Sequence, residues 1–257
     1  MRRAEAALLV AALSSACEPE LVVGTWTCPP PDADQAPANP DKVLEAPWTT
    51  GFENGFCDYM RAGGICYASP DASFRLVDEP VHGGRRAAAY FVTSDPAKRG
   101  MQTRCFREGA LPVDAFYGAW FYVPSLATNT GNWNLVHFQG GNPGGLHGLW
   151  DISLRTADDG KLFVYLFDFL RGAFRVPNAA PEVPIGSWFH LEFRLRRASD
   201  ATGEVALYQD GALLIERTGI ATDDTVFGQW YVGNLADALT PADSTIYVDD
   251  VTIRAAP

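Results

Sequence analysis

The sequence predicts an all-β chain, two antiparallel sheets packed into a sandwich, and three observations carry that prediction. Short runs rich in β-branched and aromatic residues recur through the second half: Gly118 to Pro124 (GAWFYVP), Trp133 to Gly140 (WNLVHFQG), Ser187 to Leu195 (SWFHLEFRL), Glu204 to Ile215 (EVALYQDGALLI) and Thr245 to Arg254 (TIYVDDVTIR). Turn signals separate them: Asn142 to Gly145 (NPGG), Ala157 to Gly160 (ADDG), Asp210-Gly211 and Thr222 to Thr225 (TDDT). No long helical period and no repeat of fixed length interrupts this pattern. At 257 residues, 47% of them hydrophobic, the chain is long enough to bury one substantial core, so one domain is expected behind any leader.

The first element, residues 1–17 (MRRAEAALLVAALSSAC), has two arginines, an apolar stretch and small residues ending at Cys17, the layout of a bacterial export signal. Ser14, Ser15 and Ala16 before Cys17 resemble a lipobox, with Ser14 where a leucine is usual, so Cys17 is the expected lipidation site. Cleavage by an ordinary signal peptidase, or a short apolar helix left in place, is the alternative. The apolar run is too short to span a bilayer, which leaves the lipid as the only expected membrane contact. An exported protein is therefore expected, either a lipoprotein of the outer membrane or cell surface or a secreted one. Residues 18–45 are rich in Pro, Ala and Asp and read as a linker, leaving 46–257 as the folded domain.

Without Cys17, four cysteines remain, an even set suited to disulfides in an oxidising compartment. Three pairings are possible. Cys57 with Cys66 is favoured because Ala62, Gly63 and Gly64 offer a turn between them, which leaves Cys28 with Cys105. The spacings form no paired CxxC knuckles, against structural zinc. A formal charge of −11 and a pI near 4.7 argue against a nucleic-acid partner, because phosphate binding needs a basic face.

Structure is expected to begin near Trp48 and to continue through ASFRLVDE and AAAYFVTS, both short β-rich runs. In GSWFHLEFRLR, alternation turns Phe189, Leu191, Phe193 and Leu195 inward and Trp188, His190, Glu192 and Arg194 outward, a scaffold strand. Asp210-Gly211 reads as a tight hairpin turn. The segment with most chemistry is WNLVHFQG, where alternation groups Trp133, Leu135, His137 and Gln139 against Asn134, Val136 and Phe138.

Together these segments resemble the concanavalin A-like superfamily of jelly rolls, and within it the polysaccharide lyases related to heparin lyase I and the alginate lyases. The resemblance runs from about Trp48 to Arg254: a strand like WFYVP precedes one carrying Gln and His, like LVHFQ. A tryptophan-led strand, a DG hairpin and a closing strand like IYVDDVTI follow. It implies a polysaccharide partner and β-elimination, which needs a group to neutralise the uronate carboxylate, a base for the C5 proton and an acid for the leaving oxygen. His137 is the candidate base and Gln139 the candidate carboxylate partner. Arg104 and Arg107, in TRCFREG, match an arginine-bearing strand; three apart, they fall on opposite faces, so at most one enters the cleft. The resembling lyases carry their acid as the second tyrosine of a late strand. In GQWYVGNLA, Gly233 is followed by Asn234 and Leu235, so that tyrosine is absent and Tyr231, Tyr165 and Tyr122 are the candidates to replace it.

Trp133, Trp150, Tyr165 and Trp230 are candidates to stack on sugar, and Asn134, Asn234, Tyr122 and the loop-borne His147 complete the expected substrate-binding set. Each has a structural alternative as a core or solvated side chain. No cofactor is expected to be required. Asp158-Asp159, Asp223-Asp224 and Asp249-Asp250 leave room for structural calcium, although none sits in an EF-hand loop and solvated turns are the plainer reading. No paired-glutamate hydrolase strand, GxSxG elbow, HExxH helix or P-loop occurs. The expectation is a monomeric polysaccharide-recognising domain, acting as a lyase of uronate-containing chains or as a non-catalytic glycan-binding or adhesion module.

Overall fold

The computed structural model describes residues 22–24, 28, 46–61, 63–98, 100–142, 145–225 and 227–257. Cys17, the export signal and most of the expected linker lie outside the described residues. In chain order the first elements are β1 (Val22–Val23), β2 (Trp48–Thr50), α1 (Cys57–Arg61), β3 (Ile65–Ala68), β4 (Ala72–Val77), β5 (Ala87–Thr93) and β6 (Met101–Gly109). Then come β7 (Asp114–Tyr122), β8 (Thr128–Asn129), β9 (Trp133–Asn142), β10 (Gly145–Thr156), β11 (Leu162–Asp168) and β12 (Ala173–Arg175). The chain ends with β13 (Trp188–Arg196), β14 (Gly203–Gln209), β15 (Ala212–Ile220), β16 (Phe227–Ala236), β17 (Leu239–Thr240) and β18 (Asp243–Ala255).

Two large antiparallel sheets form the expected sandwich. The first has the order β1-β3-β6-β16-β9-β10-β11-β12; the second runs β15-β14-β13-β7-β18-β5-β4, with β2 paired to β18. Strands distant in sequence are neighbours in both sheets, which is the jelly-roll pattern. Alternation in β13 holds: Phe189, Leu191, Phe193 and Leu195 are buried. Phe193 meets Phe138 of the first sheet at 5.2 Å between ring centroids and Trp150 at 6.1 Å, so aromatic contacts bridge the two layers.

The disulfides differ from the expected pairing: Cys28 is bonded to Cys57 and Cys66 to Cys105. Cys66 and Cys105 are direct partners in the β3–β6 ladder, with Cα atoms 4.0 Å apart, so strand register rather than closeness in sequence chooses the pair. Cys57 opens α1 and is bonded to Cys28 instead. Val22 and Val23 pair with Ala68 and Tyr67, so part of the 18–45 segment is stitched to the domain.

Candidate active site

In β9 the alternation read from the sequence breaks at one point. Val136 faces Ile152 and Val232, whereas Asn134 faces Ser153 and Leu235, so the ladders on both sides shift register around Leu135. Such a bulge moves every later side chain to the opposite face. Trp133, Leu135 and Phe138 are all in the core, while His137 and Gln139 point outward and are partly exposed. The Asn134 amide supports the bulge by donating to the Val136 carbonyl at 2.8 Å and to the Ile152 carbonyl at 3.3 Å.

The outward residues form one register row across the sheet: Phe106 faces Tyr231, Tyr231 faces His137, His137 faces Asp151, and Asp151 faces Phe167. His137 Nδ1 lies 2.6 Å from Asp151 Oδ1, with only 16% of the histidine side chain and 8% of the aspartate exposed. An ionised carboxylate can only accept, so Nδ1 is the nitrogen that donates, and in the neutral ring Nε2 keeps its lone pair. The His137 ring is 5.3 Å from the Tyr231 ring. The Tyr231 hydroxyl donates to Gln139 Oε1 at 3.0 Å and also lies against Gln229 Oε1, whose amide nitrogen in turn donates to Glu108. Burial raises the Tyr231 pKa well above the usual phenol value, and the neighbouring Tyr67 adds to this. The hydroxyl is therefore kept protonated.

Arg104 completes the group. It stands in the row next to Tyr231, on the same face as Phe106, with its guanidinium 5.7 Å from the centre of the Tyr231 ring. Gly233 faces it, and any side chain there would run into the Arg104 backbone and Cγ. Arg104 is only 4% exposed, its Nε has no hydrogen-bond partner, and no acidic side chain among the described residues pairs with it. A buried cation without a counter-charge is costly, and an anion placed here would relieve that cost.

Other expected site residues lie elsewhere. Arg107, three residues on, points into the core, its guanidinium 4.5 Å from the Trp48 ring centre. Trp133 and Trp150 are core residues rather than sugar platforms: their indole N–H groups donate to Asn234 Oδ1 and the Thr222 carbonyl. Asn234 is fully buried and donates to the Tyr90 and Ser244 carbonyls, and Asn134 is consumed by the bulge. These four were misplaced because an indole or amide looks the same in sequence whether it meets sugar or a buried carbonyl. Tyr122 belongs to the second sheet, beside Trp188 and Tyr247. His147 is half-buried and paired with Asp224 at 2.9 Å. Tyr165 faces Ser153 on β10, near the row, and burial raises its pKa. The acidic pairs considered for calcium are otherwise engaged: Asp223 binds Arg197, Asp249 accepts the His82 and Gly83 amides, and Asp159 accepts the Lys161 amide.

Sequence reasoning missed Asp151, Gln229 and Glu108. Asp151 had a signal, since LWDIS alternates apolar and polar residues, so a carboxylate was due on the face opposite Trp150 and Ile152.

The outer face of the second sheet also holds a histidine–aspartate pair. His82 Nδ1 is 2.7 Å from Asp250 Oδ2, and its ring stacks on Trp120 at 3.7 Å, with His190 5.1 Å beyond. Nearby charges are matched: Arg254 binds Glu192, and Arg194 binds both Asp114 and Glu204.

No protein-family model matches the chain, and no curated protein sequence does. Solved structures share its fold. A glucuronan lyase from the fungus Trichoderma reesei superposes with a TM-score of 0.57 at 18% identity, covering 72% of this chain and 87% of that one. The cellulose-induced protein Cip1 gives 0.56 at 14% identity over 81% of this chain and 97% of its own. A mutant of the alginate lyase Aly36B, in complex with alginate tetrasaccharide, gives 0.54 at 11% identity over 82% and 93%. At these identities the likeness establishes the jelly-roll fold seen in polysaccharide lyases.

Proposed function

We propose that this protein is an exported enzyme that cleaves uronate-containing polysaccharide by β-elimination. The observation that carries this reading is the convergence of an unpaired buried arginine, a tyrosine hydroxyl and an aspartate-oriented histidine on one open sheet face. Arg104 neutralises the uronate carboxylate, assisted by the Gln139 amide nitrogen, since Gln139 Oε1 is already taken by Tyr231. That lowers the cost of charge developing at C5. His137 Nε2 takes the C5 proton, and Asp151 holds the imidazolium that results. The electron pair of the C5–H bond becomes the C4–C5 double bond, the C4–O bond breaks, and the departing oxygen receives the Tyr231 proton. Proton exchange with solvent then restores His137 and Tyr231.

Tyr231 stands two residues before Gly233, whereas the resembling lyases place their tyrosine after it; the shared requirement is a protonated hydroxyl beside the base. The two disulfides are compatible with export, and lipidation at Cys17 would hold the domain at a membrane surface.

The test is ultraviolet absorbance of unsaturated ends when the protein meets alginate, glucuronan, heparin or pectate and polymers with isolated uronates. A rise that disappears in His137→Ala supports the lyase. Retention on a polymer without any rise would make this a glycan-binding module.

A further inference from the structure

The row of reacting groups does not end at Asp151. Phe169 packs edge-on to His137 at 5.9 Å, Phe167 meets Phe169 at 4.7 Å, and Phe174 meets Phe167 at 4.9 Å, so phenylalanine rings lead away from the base across β11 and β12. Gly148 makes this possible, because a Cβ there would touch the Phe169 ring at 2.9 Å. Phe169 is 40% exposed and Phe174 61% exposed, large apolar rings left open to solvent among the described residues. Cations are scarce on this side. From Trp133 to Arg175 the lysines and arginines are Arg155, Lys161, Arg171 and Arg175. Asp159 pairs with Lys161, and Asp168 holds both Arg171 and Arg175, which leaves Arg155, exposed near the end of β10.

A chain carrying a carboxylate on every sugar would have to set charges against Asp151 and against exposed phenyl rings whose adjoining arginines, Arg171 and Arg175, are already held by Asp168, leaving Arg155, among the described residues of this stretch, as the one cation free to answer them. A neutral sugar instead offers its C–H face to an aromatic ring. We infer that the site takes a heteropolysaccharide, with one uronate at Arg104 and neutral or N-acetylated sugars lying on Phe169 and Phe174. This rests on the lyase reading for its chemistry, but the ligand preference can be measured as binding alone.

The experiment compares wild type and Phe174→Ser on two homopolyuronates, glucuronan and alginate, and on two polymers whose uronates are separated by neutral sugars, hyaluronan and gellan. Formation of unsaturated ends and retardation in polymer-containing native gels are both read. A heteropolymer is expected to be preferred by about tenfold or more in kcat/KM. Phe174→Ser is expected to raise KM on it roughly three- to tenfold with kcat unchanged, as the loss of one stacking contact would. Equal or better turnover of a homopolyuronate overturns the inference and leaves the lyase reading standing. Retardation by a heteropolymer alone, weakened by Phe174→Ser and without product, supports the inference and sinks the lyase reading. Neither product nor retardation with any of the four overturns both, and an unchanged KM in Phe174→Ser overturns the stacking role.

Discussion

The two outer faces of the sandwich carry similar parts arranged to opposite effect. Each has a histidine held by an aspartate beside aromatic rings, His137 with Asp151 on the first sheet and His82 with Asp250 on the second. On the second face the pair is the more exposed of the two, His82 lies flat on Trp120, and Arg194 and Arg254 have acids. On the first face the Tyr231 ring lies 5.3 Å from the histidine ring, its hydroxyl bonded to Gln139, and a buried arginine has no counter-charge. A histidine–aspartate pair is therefore not a site by itself. Buried charges adjoin both pairs, but Asp249 on the second face is satisfied by the His82, Gly83 and Asp250 amides, whereas the Arg104 Nε on the first has no partner, and the proposed function rests on that difference.

The comparison breaks most visibly if the two histidines are exchanged as targets. His137→Ala is expected to lower kcat by about a hundredfold to ten-thousandfold, the usual worth of a positioned base, with the unfolding midpoint little changed. His82→Ala is expected to leave elimination intact and to lower the midpoint by a few degrees, roughly the effect of ~1 kcal/mol in a domain of this size. Product formation and thermal unfolding of the two variants, measured side by side, decide this.

Next in size is Tyr231→Phe, which keeps the ring and removes the proton donor; kcat is expected to fall by about a hundredfold or more. Because burial raises the Tyr231 pKa, the wild-type alkaline limb lies above the ordinary tyrosine range, as a pH–rate profile will show. Asp151→Asn is expected to cost about ten- to a hundredfold in kcat with KM nearly unchanged, as loss of a group that orients another does.

The smallest effect sharpens the other side. Burial lowers the His190 pKa on the second face. As the pH falls below about 6.5 the unfolded chain takes up that proton before the folded one does, so stability present above this value is lost with acidification. His190→Gln should flatten this part of the midpoint-versus-pH curve, with no change in activity.

Much of the scaffold was legible because alternation and turn chemistry are local. In β13 the sequence pattern and the buried side chains agree residue by residue. The site was only half legible. That His137 and Gln139 share a face and that Arg104 and Arg107 oppose each other follow from strand periodicity, whereas Tyr231 entered only as one of three stand-ins for a tyrosine that the resembling lyases carry. The β9 bulge at Leu135 does not, since its cause is the pairing with β10 and β16, which brings together residues about 20 and 100 positions away. The disulfides failed for the same reason, as Cys66 finds Cys105 through register. The buried tryptophans failed because their polar partners are backbone carbonyls or a distant amide.

The central claim is that Arg104 is kept without a counter-charge so that a substrate carboxylate can supply one. It is tested most directly by the thermal unfolding midpoint of Arg104→Met in the absence of polysaccharide. Replacing a buried, unpaired cation by an apolar side chain of similar length is expected to stabilise the fold by about 1–4 kcal/mol while abolishing elimination. A midpoint below that of the wild type would mean that the guanidinium already serves the fold, and would contradict the account.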